Sequence, residues 1–491
     1  MAKDKEKEKQ AEQQVEVSTV DTLLTMLDTE DKKSAVAELI THVGKEAAVY
    51  RVGGALIDTY IAEIDQVLSA QMDEILHHKE FQELESTWRG LHFLVQNTEF
   101  SKPVKLELVD VTKGELYEDL NEAALGEGYE KDSGLWHHVY WDAYDKVGGH
   151  SITAIIADYQ FNNSAPDIKL LQHMAVMGES AQVPFIANAS TTFFGESDFV
   201  KVMNNRFLKE QIADGAEYTS WRAFRDDDRS KFVGLCLPRF LGRLPYNPKD
   251  EPTKNFNYSE GIYRDGKDNS LWCSASFALA SNMVRSYENW GWSVKLVGVE
   301  SGGVVENLPT PTYEEHGQTK LKVPIEASVG QAKDYELSEM GFIPLAHWDR
   351  TDYACFFEVP SAQRAKIIKN DPQATANYNI GAKLQYTFLV TRIAHFLKYR
   401  QLRFVGANKN AGAIQEDLSN WLKTITSDQP SAPESVVAER PLRSFKLDVK
   451  PLAEKPGFFQ IEAEFRPHVA ITGMDINLRL VAYHSGGEEE K

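Results

Sequence analysis

Cysteine, basic residues and long apolar runs are all scarce in this chain, and each scarcity excludes a class of protein. The three cysteines, Cys236, Cys273 and Cys355, are far apart in apolar surroundings, which indicates reduced thiols rather than a disulfide framework. No apolar run approaches the roughly 20 residues of a membrane span, so we expect no transmembrane helix. Residues 1–6 mix charges without an apolar stretch, so we expect no signal peptide.

The charge balance is acidic. Lys and Arg number 53 against 73 Asp and Glu, which leaves a net charge of -20. Because contacts to phosphate need a basic surface, no nucleic-acid partner is predicted. Hydrophobic residues make up 42% and charged residues 26% of the chain, as in ordinary globular proteins. A chain of 491 residues can bury a large core in more than one structural unit.

Motifs for catalysis are missing or incomplete. Residues 261–268 read GIYRDGKD, close to a phosphate-binding loop, but Asp268 replaces the hydroxyl that ligates magnesium and no apolar strand precedes it. The fragment is therefore interpreted as a turn. Neither G-x-S-x-G nor C-x-x-C occurs, and no histidine or cysteine spacing fits a metal site. The sequence predicts no catalytic, cofactor-binding or metal-binding residue.

The N-terminal region divides into a tail and two short helices. Residues 1–17 are almost free of apolar side chains and are predicted to be disordered. Within 18–54, a helix begins at Ser18, and a second amphipathic helix follows. Helices this short need contacts elsewhere. Two interpretations stay open: both helices pack on the parent domain, or the first is a ligand for another protein. The apolar face of the first helix comprises Val20, Leu23, Leu24 and Leu27.

The region 55–428 has the pattern of an α/β core. A helix is predicted over 55–79, and its apolar face continues through Phe81, Leu84, Trp88 and Leu91, with Glu83, Glu85 and Arg89 directed outward. Apolar strands then alternate with helices, as in sheets buried on both faces. Strands are predicted at 104–109, 152–157, 183–187, 232–237, 292–299, 342–346 and 353–359, helices at 116–125, 167–181, 271–289, 381–400 and 411–424, and exposed loops at 238–257 and 307–324.

The last region, 429–491, has the clearest period-two alternation in the chain. After a short linker at 429–433, apolar and polar residues alternate over 445–450, 459–466 and 474–481, which predicts three neighbouring strands with one buried face. These strands either dock on the chain's own sheet or offer their edges to strands of other chains, and periodicity does not separate the two. The buried face comprises Phe445, Leu447, Val449, Phe459, Ile461, Ala463 and Phe465.

Several segments resemble a known family in the same order along the chain. They are ILHHKEFQELESTWRGL at 75–91, LCLPRFLGRLPY at 235–246, NWGW at 289–292, ELSEMGF at 336–342 and AITGM at 470–474. Over about residues 20–482 the chain resembles the large subunit of the type VI secretion contractile sheath, the TssC/VipB family. The fold that the resemblance implies is a mixed α/β sheath core with N-terminal helices and a C-terminal antiparallel strand segment shared between protomers.

The resemblance also implies a set of partners. Members of this family assemble with a small sheath subunit (TssB/VipA-like) and with copies of themselves into a helical tube around hexameric inner-tube rings (Hcp-like), on a baseplate. Contraction drives the inner tube outward, and an AAA+ unfoldase (ClpV-like) recycles the contracted sheath. The expected location is the bacterial cytoplasm, and no cofactor is expected.

Three roles follow for residues of this chain from the resemblance. The strands at 445–450 and 459–466 would pair between protomers. The helix with Val20 and Leu27 would be the unfoldase ligand, and the helix with Glu416 and Asp417 would face the inner tube. Two competing hypotheses remain: an α/β enzyme with an unrecognised site, which would show convergent titratable groups in a pocket, and a non-contractile adaptor whose two ends bind partners.

Overall fold

A computed structural model describes residues 54–484, apart from gaps at 145, 147, 249–255, 262, 265–266, 311, 316–317, 322, 348–352, 370, 405–409, 430–431, 452–458 and 469–477. The tail at 1–17 and the helices predicted within 18–53 lie outside the described residues. The chain divides into two compact units: residues 1–76 with 246–260, and residues 77–245 with 261–491.

Helices account for most of the regular structure, and several begin with a side-chain cap. Thr112, for example, forms a reciprocal capping box with Glu115 at the start of the third helix. The helices are α1 (Gly54–Leu76), α2 (Lys79–Gln96), α3 (Lys113–Leu125), α4 (Ala165–Ala181), α5 (Phe199–Asn204), α6 (Leu208–Asp214), α7 (Thr219–Asp226), α8 (Ala275–Trp290), α9 (Gln331–Glu339), α10 (Pro372–Gly381), α11 (Leu384–Phe404), α12 (Ala411–Thr424) and α13 (Glu434–Glu439), with shorter helical turns at Tyr129–Asp132, Gly134–Trp136, His137–Trp141, Asp142–Tyr144, Thr191–Phe194, Ala216–Tyr218 and Asp228–Phe232.

The strands form several separate sheets. They are β1 (Ile155–Phe161), β2 (Phe185–Ala189), β3 (Val233–Leu237), β4 (Phe240–Leu241), β5 (Tyr263–Arg264), β6 (Lys267–Asp268), β7 (Trp272–Cys273), β8 (Val304–Val305), β9 (Thr312–Glu315), β10 (Gln318–Leu321), β11 (Ile343–Pro344), β12 (Ala346–His347), β13 (Ala354–Cys355), β14 (Leu442–Pro451), β15 (Phe459–Pro467) and β16 (Leu478–His484). The larger sheets have the orders β1-β2-β3-β11, β12-β13-β8 and β14-β15-β16, and the remaining strands pair as β4-β7, β5-β6 and β9-β10.

The central sheet of the larger unit is parallel and buried on both faces. All three of its strand pairs are parallel. Along β3, Val233 and Leu235 enter one core cluster with α4 and α7, while Cys236 enters another with α8 and the start of α11. Side chains that alternate between two cores explain why this strand is apolar throughout rather than alternately polar. The predicted α/β core is confirmed.

One glycine in this sheet is required by close packing. A Cβ atom on Gly234 would lie 2.6 Å from Cδ1 of Leu384 and 2.9 Å from Cδ1 of Ile343. These distances are shorter than van der Waals contact, so α11 can approach β3 only because this position has no side chain. The three cysteines are buried and unpaired, and burial raises the pKa of Cys273 and of Cys355 to about 12. The prediction of reduced cysteines in apolar surroundings is confirmed.

Within the smaller unit, α1 is joined to the segment around 256–260. The hydroxyl of Tyr258 donates to Oδ1 of Asp73 over 2.7 Å, and the rings of Tyr246 and Tyr258 are 6.3 Å apart. The backbone N–H of Tyr246 donates to Oε2 of Glu260 over 3.0 Å, which closes the segment on itself. These contacts fix part of a segment that the sequence predicts to be an exposed loop.

Four local predictions are wrong. Residues 104–109 and 292–299 belong to no strand of the described chain, although their apolar side chains alternate. The loop predicted at 307–324 contains the β9–β10 hairpin, because its three prolines fall outside the paired residues. The loop predicted at 238–257 begins with the buried strand β4, where the N–H of Leu241 donates to the Pro324 carbonyl and that of Gly242 to the Leu271 carbonyl.

Candidate assembly surfaces

The three predicted C-terminal strands are present and form their own antiparallel sheet. β15 is the central strand: Ile461 pairs with Val449 on β14 and with Ala482 on β16. The third strand begins at Leu478, so the start of the run predicted at 474–481 lies outside the described residues. β14 and β16 are therefore the two edges of the sheet within the described chain.

One face of this sheet packs on α11 and α12. All seven residues predicted for the buried face belong to that contact: five are buried, and Phe445 and Phe459 pack partly buried against the same cluster. Ile461, for example, is 2% exposed. These side chains stabilise the sheet on its own chain, so any pairing with another protomer uses the main chain of the edge strands.

The start of β14 is tied to the end of α12. The N–H of Ser427 donates to the Leu442 carbonyl over 2.9 Å, and the N–H of Leu442 donates to the Ile425 carbonyl. Further along, Nε2 of Gln415 donates to the Leu447 carbonyl over 3.1 Å. Periodicity left two interpretations open: docking on the chain's own sheet, or pairing with strands of other chains. Neither included docking on helices of the same chain, which is what the structure shows.

The helix that the resemblance assigns to the inner tube is α12, and its two candidate carboxylates differ. Glu416 is exposed, whereas Asp417 is half-buried and its Oδ2 lies 3.4 Å from Nη1 of Arg400. The opposite side of α12 is buried through Ile414 and Leu418. Of the two, Glu416 is the residue with an exposed charge for a partner.

The linker predicted at 429–433 ends at an anchored helix. Glu434, the first residue of α13, lies 2.5 Å from Nζ of Lys295, and Ser301 donates to the same carboxylate. The hydrogen bond and charge of Lys295 lower the pKa of Glu434. At the other end of α13, the indole N–H of Trp292 donates to the Glu439 carbonyl. Rotation of the sheet about this linker would therefore require these contacts to move or break.

Helix α1 exposes an apolar stripe on its own unit. Ile61, Ile64, Leu68 and Ile75 are all exposed, at spacings that place them on one helical face. The sequence predicted a helix with an apolar face over 55–79, but not that this face is exposed. The unfoldase-binding face predicted at Val20, Leu23, Leu24 and Leu27 lies outside the described residues.

Helix α2 differs from the prediction on both of its faces. Glu85, predicted to point outward, is directed inward and its Oε1 lies 2.7 Å from Nε of buried Arg243. On the same inner side, Gly90 and Phe93 are buried. Phe81, Leu84 and Trp88, predicted to form the packed face, are exposed to solvent. Glu83 is exposed and Leu91 packs partly buried against the core, as predicted, so the prediction is wrong for Phe81, Leu84, Trp88 and Glu85.

A large groove lies beside the central sheet in the described residues. Its volume is 1140 Å³, and it is lined by residues 102–111, β1, α8 and the end of α2. This exceeds the usual 300–1,000 Å³ of small-molecule sites. Asp158 is one of the lining carboxylates, and burial raises its pKa. Asp158 accepts hydrogen bonds from Ser274 and Thr87 and is thus a satisfied structural group.

Three other features bear on function: the residues that resemble a phosphate-binding loop, the clusters of metal-ligating side chains and the length of the apolar helices. The residues that resemble a phosphate-binding loop form the β5–β6 hairpin, in which Tyr263 pairs with Asp268. This confirms their interpretation as a turn. Among the described residues, no cluster of three or more histidine, cysteine, aspartate or glutamate side chains could hold a metal ion. In the same part of the chain, no helix has the length and apolar character needed to cross a bilayer.

Asp334 in α9 is a buried carboxylate with an unusual environment. Its Oδ1 has no hydrogen-bond partner in the described residues. Burial, together with the nearby charge of Glu358, raises the pKa of Asp334 to about 7. The neutral form is therefore favoured in the folded chain.

We expect Asp334→Asn to stabilise the protein at pH 8 but not at pH 4. Between about pH 4 and pH 7 the folded chain binds a proton that the unfolded chain releases, so stability falls as the pH rises through this window. Asparagine does not titrate, so the variant avoids this loss. Its free energy of unfolding at pH 8 should exceed that of the wild-type chain by about 1–3 kcal/mol. Chemical denaturation at both pH values measures it. The exposed control Asp214→Asn should change little, and an equal gain at both pH values would contradict the assignment.

Sequence comparisons relate the chain to tail sheath proteins. The model of the EvpB/VC_A0108 tail sheath N-terminal domain (VipB) matches residues 58–363, and that of the EvpB/VC_A0108 tail sheath gpW/gp25-like domain (VipB_2) matches residues 373–483. The Type VI secretion system sheath protein TssC1 of Pseudomonas aeruginosa is 36% identical over 430 residues, which cover 87% of this chain and 85% of the relative.

Two solved structures are similar to this chain at a much lower level. A chain of the cryo-EM baseplate of the anti-feeding prophage is 10% identical with a TM-score of 0.34, covering 79% of this chain and 82% of that one. The sheath tail protein Lin1278 from Listeria innocua is 9% identical with a TM-score of 0.29, covering 64% and 59%. Such scores are too low for residue-by-residue comparison.

Proposed function

Since the chain belongs to the type VI secretion tail sheath family and is a structural contractile-sheath subunit rather than an enzyme, we propose that it is the large subunit. In this role it polymerises with copies of itself and with a small sheath subunit into a helical tube around an inner tube. Contraction of the tube propels the inner tube outward. We further propose that this takes place in the bacterial cytoplasm, on a baseplate.

The observation that carries this proposal is the C-terminal sheet. Its apolar face is already covered by α11 and α12, while β14 and β16 are edge strands in the described chain. An edge strand presents main-chain donors and acceptors that pair readily with an added strand. We propose that strands of small subunits from neighbouring protomers extend this sheet. Many main-chain hydrogen bonds per joint would keep the subunits connected while their bodies rotate.

Two further contacts belong to the same proposal. The exposed side of α12, with Glu416, would face the inner-tube rings, and the Arg400–Asp417 pair would hold that helix against its neighbour α11. The N-terminal helix with Val20, Leu23, Leu24 and Leu27 would be the ligand of a recycling AAA+ unfoldase. Support for both comes from the resemblance of the sequence to the sheath family.

Co-expression with the neighbouring small-subunit gene tests the proposed function. Electron microscopy of the purified material should show long hollow helical tubules that contain both chains. The chain expressed alone serves as the control and should not yield such tubules. Monodisperse monomers after co-expression would contradict the proposal.

Deleting residues 18–28 should leave tubule formation intact and abolish unfoldase binding. The predicted helix with Val20 and Leu27 lies in this segment, whereas the strands proposed for assembly are at the other end of the chain. Co-sedimentation of the unfoldase with contracted tubules measures binding. Deleting residues 2–12, which carry no apolar face, is the matched control. Undiminished co-sedimentation of the 18–28 deletion would refute the role of this helix.

A further inference from the structure

The apolar stripe on helix α1 is a continuous exposed surface. Ile61, Ile64, Leu68 and Ile75 are 49%, 46%, 39% and 54% exposed. Their spacings of three and seven residues place them in one row along the helix, and none of the five carboxylates of α1 interrupts this row. Isolated exposed apolar residues are common on soluble proteins, but a continuous stripe marks a contact surface.

Another side of α1 is already engaged, which fixes the direction of the stripe. The hydroxyl of Tyr258 donates to Oδ1 of Asp73 over 2.7 Å. On the same side, Leu76 is buried and Met72 is half-buried. Turning the stripe inward would break this hydrogen bond and bring Leu76 into solvent. The stripe is therefore an outward surface of the folded chain.

We propose that residues 32–45 of the same chain form a helix that docks on this stripe, antiparallel to α1. The segment reads KKSAVAELITHVGK, in which Ser34 and Gly44 are residue types that begin and end helices. A helix this short is unstable by itself and needs a surface to cover its apolar face. The contact lies within one chain and goes beyond the proposed function, which does not require it. The apolar face of the segment comprises Val36, Leu39, Ile40 and Val43.

The length of the segment and the point where it ends fit this surface. From Val36 to Val43 a helix rises about 10.5 Å, the same as α1 rises from Ile61 to Leu68. Residues 44–53 join the segment to the start of α1 and reach about 33 Å when extended. Placing Val43 beside Ile61 requires only about 14 Å, from about 10.5 Å along α1 and 8–10 Å between helix axes. The chain can therefore fold back into a helical hairpin.

Charge complementarity selects this segment as the occupant. Helix α1 contains no lysine or arginine beside its five carboxylates. Residues 32–45 contain three lysines and one glutamate, a net charge of +2, and so attract α1. The preceding residues 18–31, which include the first predicted helix, contain four carboxylates and no lysine or arginine. A second α1 from another copy would likewise set carboxylates against carboxylates with no basic residue on either helix.

The two short helices of the N-terminal region thus have different roles. The second helix packs on its own chain through α1. The first, with Val20 and Leu27 on its apolar face, has the wrong charge for this surface and stays available to another protein. The two interpretations that periodicity left open therefore apply to one helix each.

Hydrogen exchange of the purified full-length chain is the first test. Because so short a helix is unstable alone, slow exchange of amides 36–43 reports docking directly. We expect these amides to exchange at least tenfold more slowly in the wild-type chain than in Ile64→Ser/Leu68→Ser. The control Gln66→Ser/Gln70→Ser places serines at exposed positions on another side of α1 and should keep the protection. Exchange of amides 36–43 at the rate of an unfolded peptide in the wild-type chain would overturn the proposal.

A disulfide trap identifies the occupant. In the antiparallel register Ile40 lies opposite Ile64, so Ile40→Cys/Ile64→Cys should form a disulfide within one molecule under mild oxidation. The three native cysteines are buried and do not compete. The matched control Ile40→Cys/Gln70→Cys should close at least tenfold more slowly. Equal rates in the two variants, or a covalent dimer of the chain, would overturn the docking. Neither readout depends on tubule formation, so failure of this proposal leaves the proposed function standing.

Discussion

Replacing Ile461 with proline is expected to abolish tubule formation and to lower the thermal stability of the chain. Ile461 lies on the central strand β15, where it pairs with Val449 on one side and Ala482 on the other. Proline has no N–H to donate and is almost never found within a central strand, so the ladder breaks on at least one side. The side chain is also buried against α11 and α12, so the core beneath the sheet is disturbed. Electron microscopy and thermal unfolding measure the two effects.

Ile461→Val is the matched control for this prediction. It keeps the N–H and the branched side chain and removes one buried methyl group, which costs about 1 kcal/mol. Tubules should form normally with this variant. Because Ile461 is on a central rather than an edge strand, the proline acts first on the sheet of its own chain and only through it on the joint between protomers. Normal tubules with Ile461→Pro would refute the proposed role of the sheet.

The C-terminal strands could be predicted closely because their signal is local. Alternation over 445–450 and 459–466 defines a strand wherever a partner strand is near in sequence, and the structure pairs these segments residue by residue. The same alternation identified the buried face. The alternation does not indicate which elements pack on that face, because α11 and α12 come from residues 384–424 and reach the sheet through tertiary packing.

Two other alternating segments show where the same reasoning fails. In the stretch 292–299, Val294 and Leu296 are buried in different core clusters while the backbone turns. In the stretch 104–109, the chain is without a ladder partner among the described residues and instead lines the large groove. A strand depends on a neighbour to pair with, and alternation of apolar residues does not report whether that neighbour exists.

Helix α2 shows a different limit. Its period of three and four residues placed Phe81, Leu84 and Trp88 on one face, as the structure confirms, but the prediction took that face to be the packed one. Periodicity reports which side chains share a face, whereas tertiary packing decides which face lies against the rest of the chain. The inner side of α2 instead uses a glycine, a serine hydroxyl and an ion pair, which have no apolar signature in a sequence.

Gly90→Leu is therefore expected to destabilise the chain strongly, although a helical glycine usually costs stability. A side chain at Gly90 would overlap the ring of Phe277, whose Cε2 and Cγ lie 2.6 and 3.1 Å from the position of a Cβ atom. Phe277 belongs to α8 and is buried in the core, so it has little room to move. Forcing extra carbons into such a site costs about 1–3 kcal/mol, and more where the backbone must shift. Chemical denaturation of the purified chain measures the loss.

Gly114→Leu in α3 isolates the packing effect. Gly114 is exposed, and the nearest atom to its hypothetical Cβ is Oγ1 of Thr112 at 3.9 Å, so the added side chain meets open space. Both substitutions replace glycine with the same good helix former, which alone should stabilise each helix by up to about 1 kcal/mol. Their difference therefore reports the close packing of α2 on α8. Equal stability of the two variants would show that α2 can shift on its neighbour, and that Gly90 is not required for the close packing of α2 on α8.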